Sequence, residues 1–87
     1  MTEAGLIDRG LDRLGVTRVD LESMRKGASE KRALAWLLKK RTVVKNEWIS
    51  RHLHCGHPAN IPGYVRNVDA ATEEPLAGYR KILKSED

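Results

Sequence analysis

Apolar residues in this chain recur every three or four positions in short runs, and a glycine or a β-branched cluster closes most of them. Leu6, Ile7, Leu11 and Leu14 precede Gly15, and Val19, Leu21 and Met24 precede Gly27. Leu34, Leu37 and Leu38 precede Thr42-Val43-Val44, and Trp48, Ile49 and Leu53 precede Gly56. That spacing lines one face of a helix, whereas a half-buried strand needs strict alternation, and no such alternation occurs. Neither an internal repeat nor a low-complexity tract is present. The pattern therefore predicts an all-α domain of five to six short helices.

The first helix is expected over about residues 3–14, with Gly15 as its stop. Thr17 can cap a short second helix that Gly27 ends. Ser29 opens a third, whose apolar stripe is Ala33, Leu34, Leu37 and Leu38, with Trp36 beside it. Lys39, Lys40 and Arg41 crowd its last turn, where cations suit the helix dipole, and Thr42-Val43-Val44 breaks it. A fourth helix fits about residues 45–54. A fifth carries Ile61, Tyr64, Val65 and Val68, and a sixth carries Leu76, Tyr79, Ile82 and Leu83, with Pro75 suited to its first turn. The sixth either covers the core or offers a surface to a second copy or a partner protein. Leu11, Leu14, Leu34, Leu37, Trp48, Ile49, Leu53, Ile61 and Val65 are the expected core. Three segments are read: an N-terminal helical segment over 1–28, a central core over 29–69, and a linker with an amphipathic helix over 70–87.

At 87 residues the chain makes one domain at most. Charge narrows the function classes. The net charge is +4, with a pI near 9.5, but its distribution says more. Residues 1–24 carry −2, residues 25–51 carry +7 and residues 52–87 carry −1. A basic middle suits a polyanion partner. No apolar run approaches the ~20 residues a membrane span requires. The start of the chain lacks the layout of a secretory signal, and the lone Cys55 excludes an intramolecular disulfide framework, so the expected compartment is the cytoplasm.

The stretch from Thr42 to Val68 reads as a short apolar helix, a tight glycine turn, and a second helix starting near His57. Small Ser50 follows Ile49 where crossing helices need close approach, and Leu53 and Ile61 frame the turn from either side. This is the layout of a helix-turn-helix, whose second helix can enter the major groove of double-stranded DNA.

The chain resembles a bacterial family on specific residues. Lys31 to Leu38, Arg41-Thr42, Glu47-Trp48-Ile49 and Gly56 to Asn60, with Leu14-Gly15, Leu21 and Met24 to Gly27 before them, are similar to the C-terminal region of transposase-like proteins related to the REP-associated tyrosine transposases. Residues 29–68 also resemble the helix-turn-helix of the bacterial replication initiator's C-terminal DNA-binding domain, which implies a TrpR-like fold. By that resemblance the DNA-facing positions are His57, Pro58, Ala59 and Asn60. Asn60 either reads adenine, because its amide can pair with N6 and N7, or serves as a helix N-cap. Lys45, Arg51 and Arg66 are the candidate phosphate contacts, which position without specifying. One departure stands out: Pro62-Gly63 replaces the polar residue and arginine usual in the family. Proline inside a helix costs about 3 kcal/mol, so the second helix either starts near Asn60, with Pro62 in its first turn, or is distorted.

Two other chemistries are suggested and set aside. His52-Leu53-His54 spells the metal-holding pair of single-strand transposases, but on a helix alternate side chains diverge by about 200°, and no strand or carboxylate cluster accompanies the pair. His52, His54, Cys55 and His57 are too crowded for a zinc site and lack a C-x-x-C pair. No catalytic residue, metal or cofactor is expected. Trp36 and Trp48 could stack on bases, but their helical spacing with Leu and Ile assigns them to the core. The expectation is a DNA-binding helix-turn-helix module without catalysis; the alternative is a helical protein-interaction domain that keeps the fold without binding DNA.

Overall fold

The computed structural model describes residues 2–84. Residue 1 and residues 85–87, the outer ends of the first and last expected segments, lie outside the described residues. Six α-helices follow one another: α1 (Glu3–Leu14), α2 (Arg18–Ser23), α3 (Ser29–Arg41), α4 (Asn46–Leu53), α5 (Ile61–Ala70) and α6 (Leu76–Lys84). A short 3-10 turn, Pro58–Asn60, precedes α5. Among the described residues there is no strand, and none of the helices is long and apolar enough to cross a membrane.

Capping chemistry sets most of the helix ends. The Thr2 hydroxyl accepts the Gly5 amide at 3.0 Å at the start of α1. Gly15 ends that helix in the left-handed region, φ 71°, with its N–H returned to the last turn. A side chain with a Cβ is disfavoured there, which is why glycine makes the stop. Thr17 and Asp20 form a reciprocal capping box on α2. That helix stops at Ser23, four residues short of the Gly27 expected to end it. The chain becomes extended at Met24, whose carbonyl accepts the Lys31 ammonium instead of continuing a helix. Thr42 closes α3 as expected: its backbone is extended and its hydroxyl donates to the Leu38 carbonyl at 2.7 Å.

The third helix is the axis of the domain. Every residue from Ala33 to Leu38 is buried, and α1, α4, α5 and α6 all pack on it. A helix that is apolar on all sides belongs inside a protein. One buried cluster draws Leu6, Ile7 and Leu11 from α1, Leu34, Leu37 and Leu38 from α3, and Ile49 and Leu53 from α4, together with Ile61, Val68 and Leu83. All three expected segments thus contribute to the same core. Each such leucine or isoleucine contributes about 1.5–3 kcal/mol when taken from water. The α1–α3 contact is close at Gly10, where an added Cβ would stand 2.5 Å from Leu34 Cδ2.

Three residues expected in the core are at its margin. Leu14, Trp48 and Val65 are only half-buried. Trp36 is buried as its spacing predicts, and its indole N–H finds the Asp69 carboxylate at 2.7 Å, which removes the cost of burying that donor. The α6 helix covers the core: Leu83 is buried and Leu76 and Tyr79 pack against the cluster. The apolar face that the sequence left open to a partner is therefore turned inward, and Ile82 is its exposed remainder.

Candidate nucleic-acid interface

α4, the turn after it and α5 form a packed helix-turn-helix arrangement. Two left-handed residues reverse the chain. His54 caps α4 at φ 57°, and Gly56 follows at φ 83°. Cys55 between them is fully buried, with its amide on the Ser50 carbonyl at 2.9 Å. Histidine is among the few non-glycine residues that enter this region, so the glycine signal at Gly56 marked only half of the turn. Past it, His57 starts the 3-10 turn: its Nδ1 accepts the Ala59 amide at 3.0 Å.

Asn60 is correspondingly not a cap. Its backbone is already helical, and its side chain makes no capping hydrogen bond. The N-cap alternative for Asn60 falls because His57 satisfies the turn three residues earlier. The Asn60 amide is left exposed. Pro62 occupies the second position of α5, where its missing N–H would have had no helical partner. The helix is continuous from Ile61 to Ala70, so Pro62-Gly63 does not distort it.

The other site residues fall around this tip. His57 and Ala59 are exposed and Pro58 is half-buried. Arg66, one turn into α5, folds back toward the helix start, with Nη2 3.9 Å from where a Gly63 Cβ would stand. Lys45, just before α4, and Arg51 on it are exposed and line a groove of about 360 Å³ with Val43, Val44, Glu47 and Trp48.

The loop between α2 and α3 adds a residue that sequence reasoning missed. Lys26 lays its stem across the turn, so a Cβ at Gly56 would stand 2.8 Å from Lys26 Cδ. Its carbonyl accepts the Tyr64 hydroxyl from α5 at 3.3 Å. Arg32 donates to the Gly27 carbonyl at 2.7 Å and to Asn67 at 3.1 Å, and lies 5.3 Å over the Tyr64 ring. The Met24-Arg-Lys-Gly27 stretch was legible as a motif, but nothing local says that it docks on Gly56.

Lys31 is the largest correction to the charge reading. It is 1% exposed, and its ammonium donates to the Met24 carbonyl at 3.1 Å and the His54 carbonyl at 2.7 Å. One cation thereby serves the C-terminal ends of α2 and α4, where dipoles favour positive charge. Burial holds its pKa below the ordinary lysine value. Burial also pushes the neighbouring Cys55 thiol up to about 11, against the pull of the Lys31 charge. Lys31 and the half-buried Arg32 are therefore engaged within the fold, and the basic surface is smaller than +7 implies.

The histidines are separately engaged. His52 stacks on Trp48, ring centroids 3.9 Å apart, and its Nδ1 donates to the Trp48 carbonyl. His54 Nε2 lies 3.9 Å from Glu22. Among the described residues no three His, Cys, Asp or Glu side chains converge as a metal site would require. No family model, curated protein or solved structure matches the chain.

Proposed function

We propose that the chain is a DNA-binding helix-turn-helix module of a transposase-like kind, with the TrpR-like arrangement that its sequence resemblance implies and no reaction of its own. The observation that carries this reading is the tip of the α4–α5 unit. There Asn60 is exposed and uncapped immediately before α5, the helix that also carries Arg66. A side-chain amide at that position can make the paired contact with adenine that an arginine makes with guanine. Arg66, Lys45 and Arg51 supply charge for phosphates on either side, and Lys26 adds a fourth cation beside the turn. Because such contacts release condensed counterions, affinity falls steeply with salt. The test is an electrophoretic shift with random duplex at two salt concentrations. Binding that weakens sharply with salt supports the reading.

A second reading, a helical protein-interaction domain, is favoured by one feature. Val43 is 98% exposed at the mouth of the groove that holds Trp48. The Pro62-Gly63 pair no longer favours it, since α5 is continuous through both residues. A folded protein that ignores duplex DNA would move the assignment to this reading.

A further inference from the structure

A second basic cleft lies at the other end of α3 and α5. The two helices run in the same sense: Arg32 near the start of α3 lies over Tyr64 in the first turn of α5, and Trp36 and Lys40 meet Asp69 near the end of α5. From Ile61 to Asp69 is about 12 Å along the helix, so this cleft is separate from the turn. It measures about 570 Å³ and is lined by Trp36, Lys40, Arg41, Asp69, Arg80 and Lys84. Two helices far apart in sequence, α3 and α6, supply its cations, which explains why no single sequence run announced it.

The one carboxylate among its described lining residues is already engaged. Asp69 Oδ1 accepts the Trp36 indole at 2.7 Å and lies 3.4 Å from Lys40 Nζ. Arg80 is fixed by donating to the Val68 and Asp69 carbonyls at 2.7 and 2.9 Å, which caps the end of α5. Setting Arg41 aside, Lys40, Arg80 and Lys84 still outnumber Asp69 by two charges around one concavity. A fixed guanidinium and ammonium groups around a polar floor match the oxygens of a phosphate group.

We infer that this cleft binds a phosphate group, supplied either by a nucleic-acid backbone or by a free oligophosphate. The backbone source rests on the DNA-binding reading; the free source does not. The Trp36 indole N–H reports directly, because an anion that draws Lys40 away from Asp69 changes that hydrogen bond. The experiment follows the Trp36 indole resonance, told apart from Trp48 by Trp48→Phe, during separate titrations with inorganic pyrophosphate and a short duplex.

A saturable shift with pyrophosphate alone supports the site with a free source. A shift with duplex alone, or with both, supports it with the backbone as a source. In either case Lys84→Gln with Arg41→Gln should weaken the response about threefold per charge removed, while Lys81→Gln, on the same helix but outside the cleft, should leave it unchanged. Circular dichroism checks that the double variant is folded, and Lys84→Gln alone is the fallback if it is not. No shift with either probe overturns the proposal. If the Ala59 and Asn60 amides still move with duplex, the DNA-binding reading survives that failure; if they do not, both fall.

Discussion

The ammonium of Lys31 sits 2.7 Å from the carbonyl oxygen of His54, and this contact ties the α3 helix to the turn that presents the candidate DNA-facing residues. The same nitrogen reaches Met24, so one buried side chain holds the α2 end, the α4 end and the start of α3 together.

Removing that side chain should be costly. Lys31→Ala leaves two carbonyls without their buried donor, each worth about 1–3 kcal/mol, and opens a cavity besides. Lys31→Met keeps much of the stem packing and should lose less. Urea denaturation of the two variants checks this. Wild-type midpoints for both would show that the buried ammonium does not hold the turn.

Asp69 predicts an acid dependence with a definite sign. Its hydrogen bond from Trp36, reinforced by Lys40, holds its carboxyl below the ordinary 3.8. A lowered folded-state pKa gives stability that is fully present above 3.8 and is lost as pH falls through the folded value. Asp69→Asn keeps an acceptor for the indole but removes the charge. The wild type should therefore exceed this variant in stability at neutral pH, by a modest margin because the group is near the surface. The gap should close as pH drops below 3.8. A gap that widens in acid, measured by thermal melts across pH, would contradict the assignment.

Cys55 should be inert while the protein is folded. It is fully buried, and burial raises its thiol to about 11, so at neutral pH almost no thiolate exists to react. A thiol-specific chromogenic reagent should label it only after denaturant is added. Prompt labelling of one thiol per native chain would show that the turn opens freely.

Much of this architecture is legible in the sequence, because apolar spacing and caps are local. The starts of α1, α3 and α6 and the break at Thr42 follow from residues within one or two turns. What is illegible is non-local. Lys31 looks like surface charge because its partners are 7 and 23 residues away. Trp36 reads as core from its spacing, but the acceptor for its indole does not, because it arrives 33 residues later, from Asp69. Asn60 resembles a cap until His57 is seen to do the capping. Lys26 joins the candidate interface only through its packing on Gly56.

The central claim is tested most directly by titrating the wild type, Lys45→Ala, Arg51→Ala and Asn60→Ala on random and selected duplexes at several salt concentrations. About 4 phosphate contacts predict a log–log salt slope near −3.6. Lys45→Ala and Arg51→Ala should each weaken binding to every sequence and reduce that slope by about one unit. Asn60→Ala should leave the slope and the folded stability nearly unchanged, because its side chain caps nothing. It should cost about 1–3 kcal/mol on the selected site and little on random DNA. A folded wild type that binds no duplex more tightly than about millimolar at low salt would contradict the account, since even non-specific DNA binding is normally tighter.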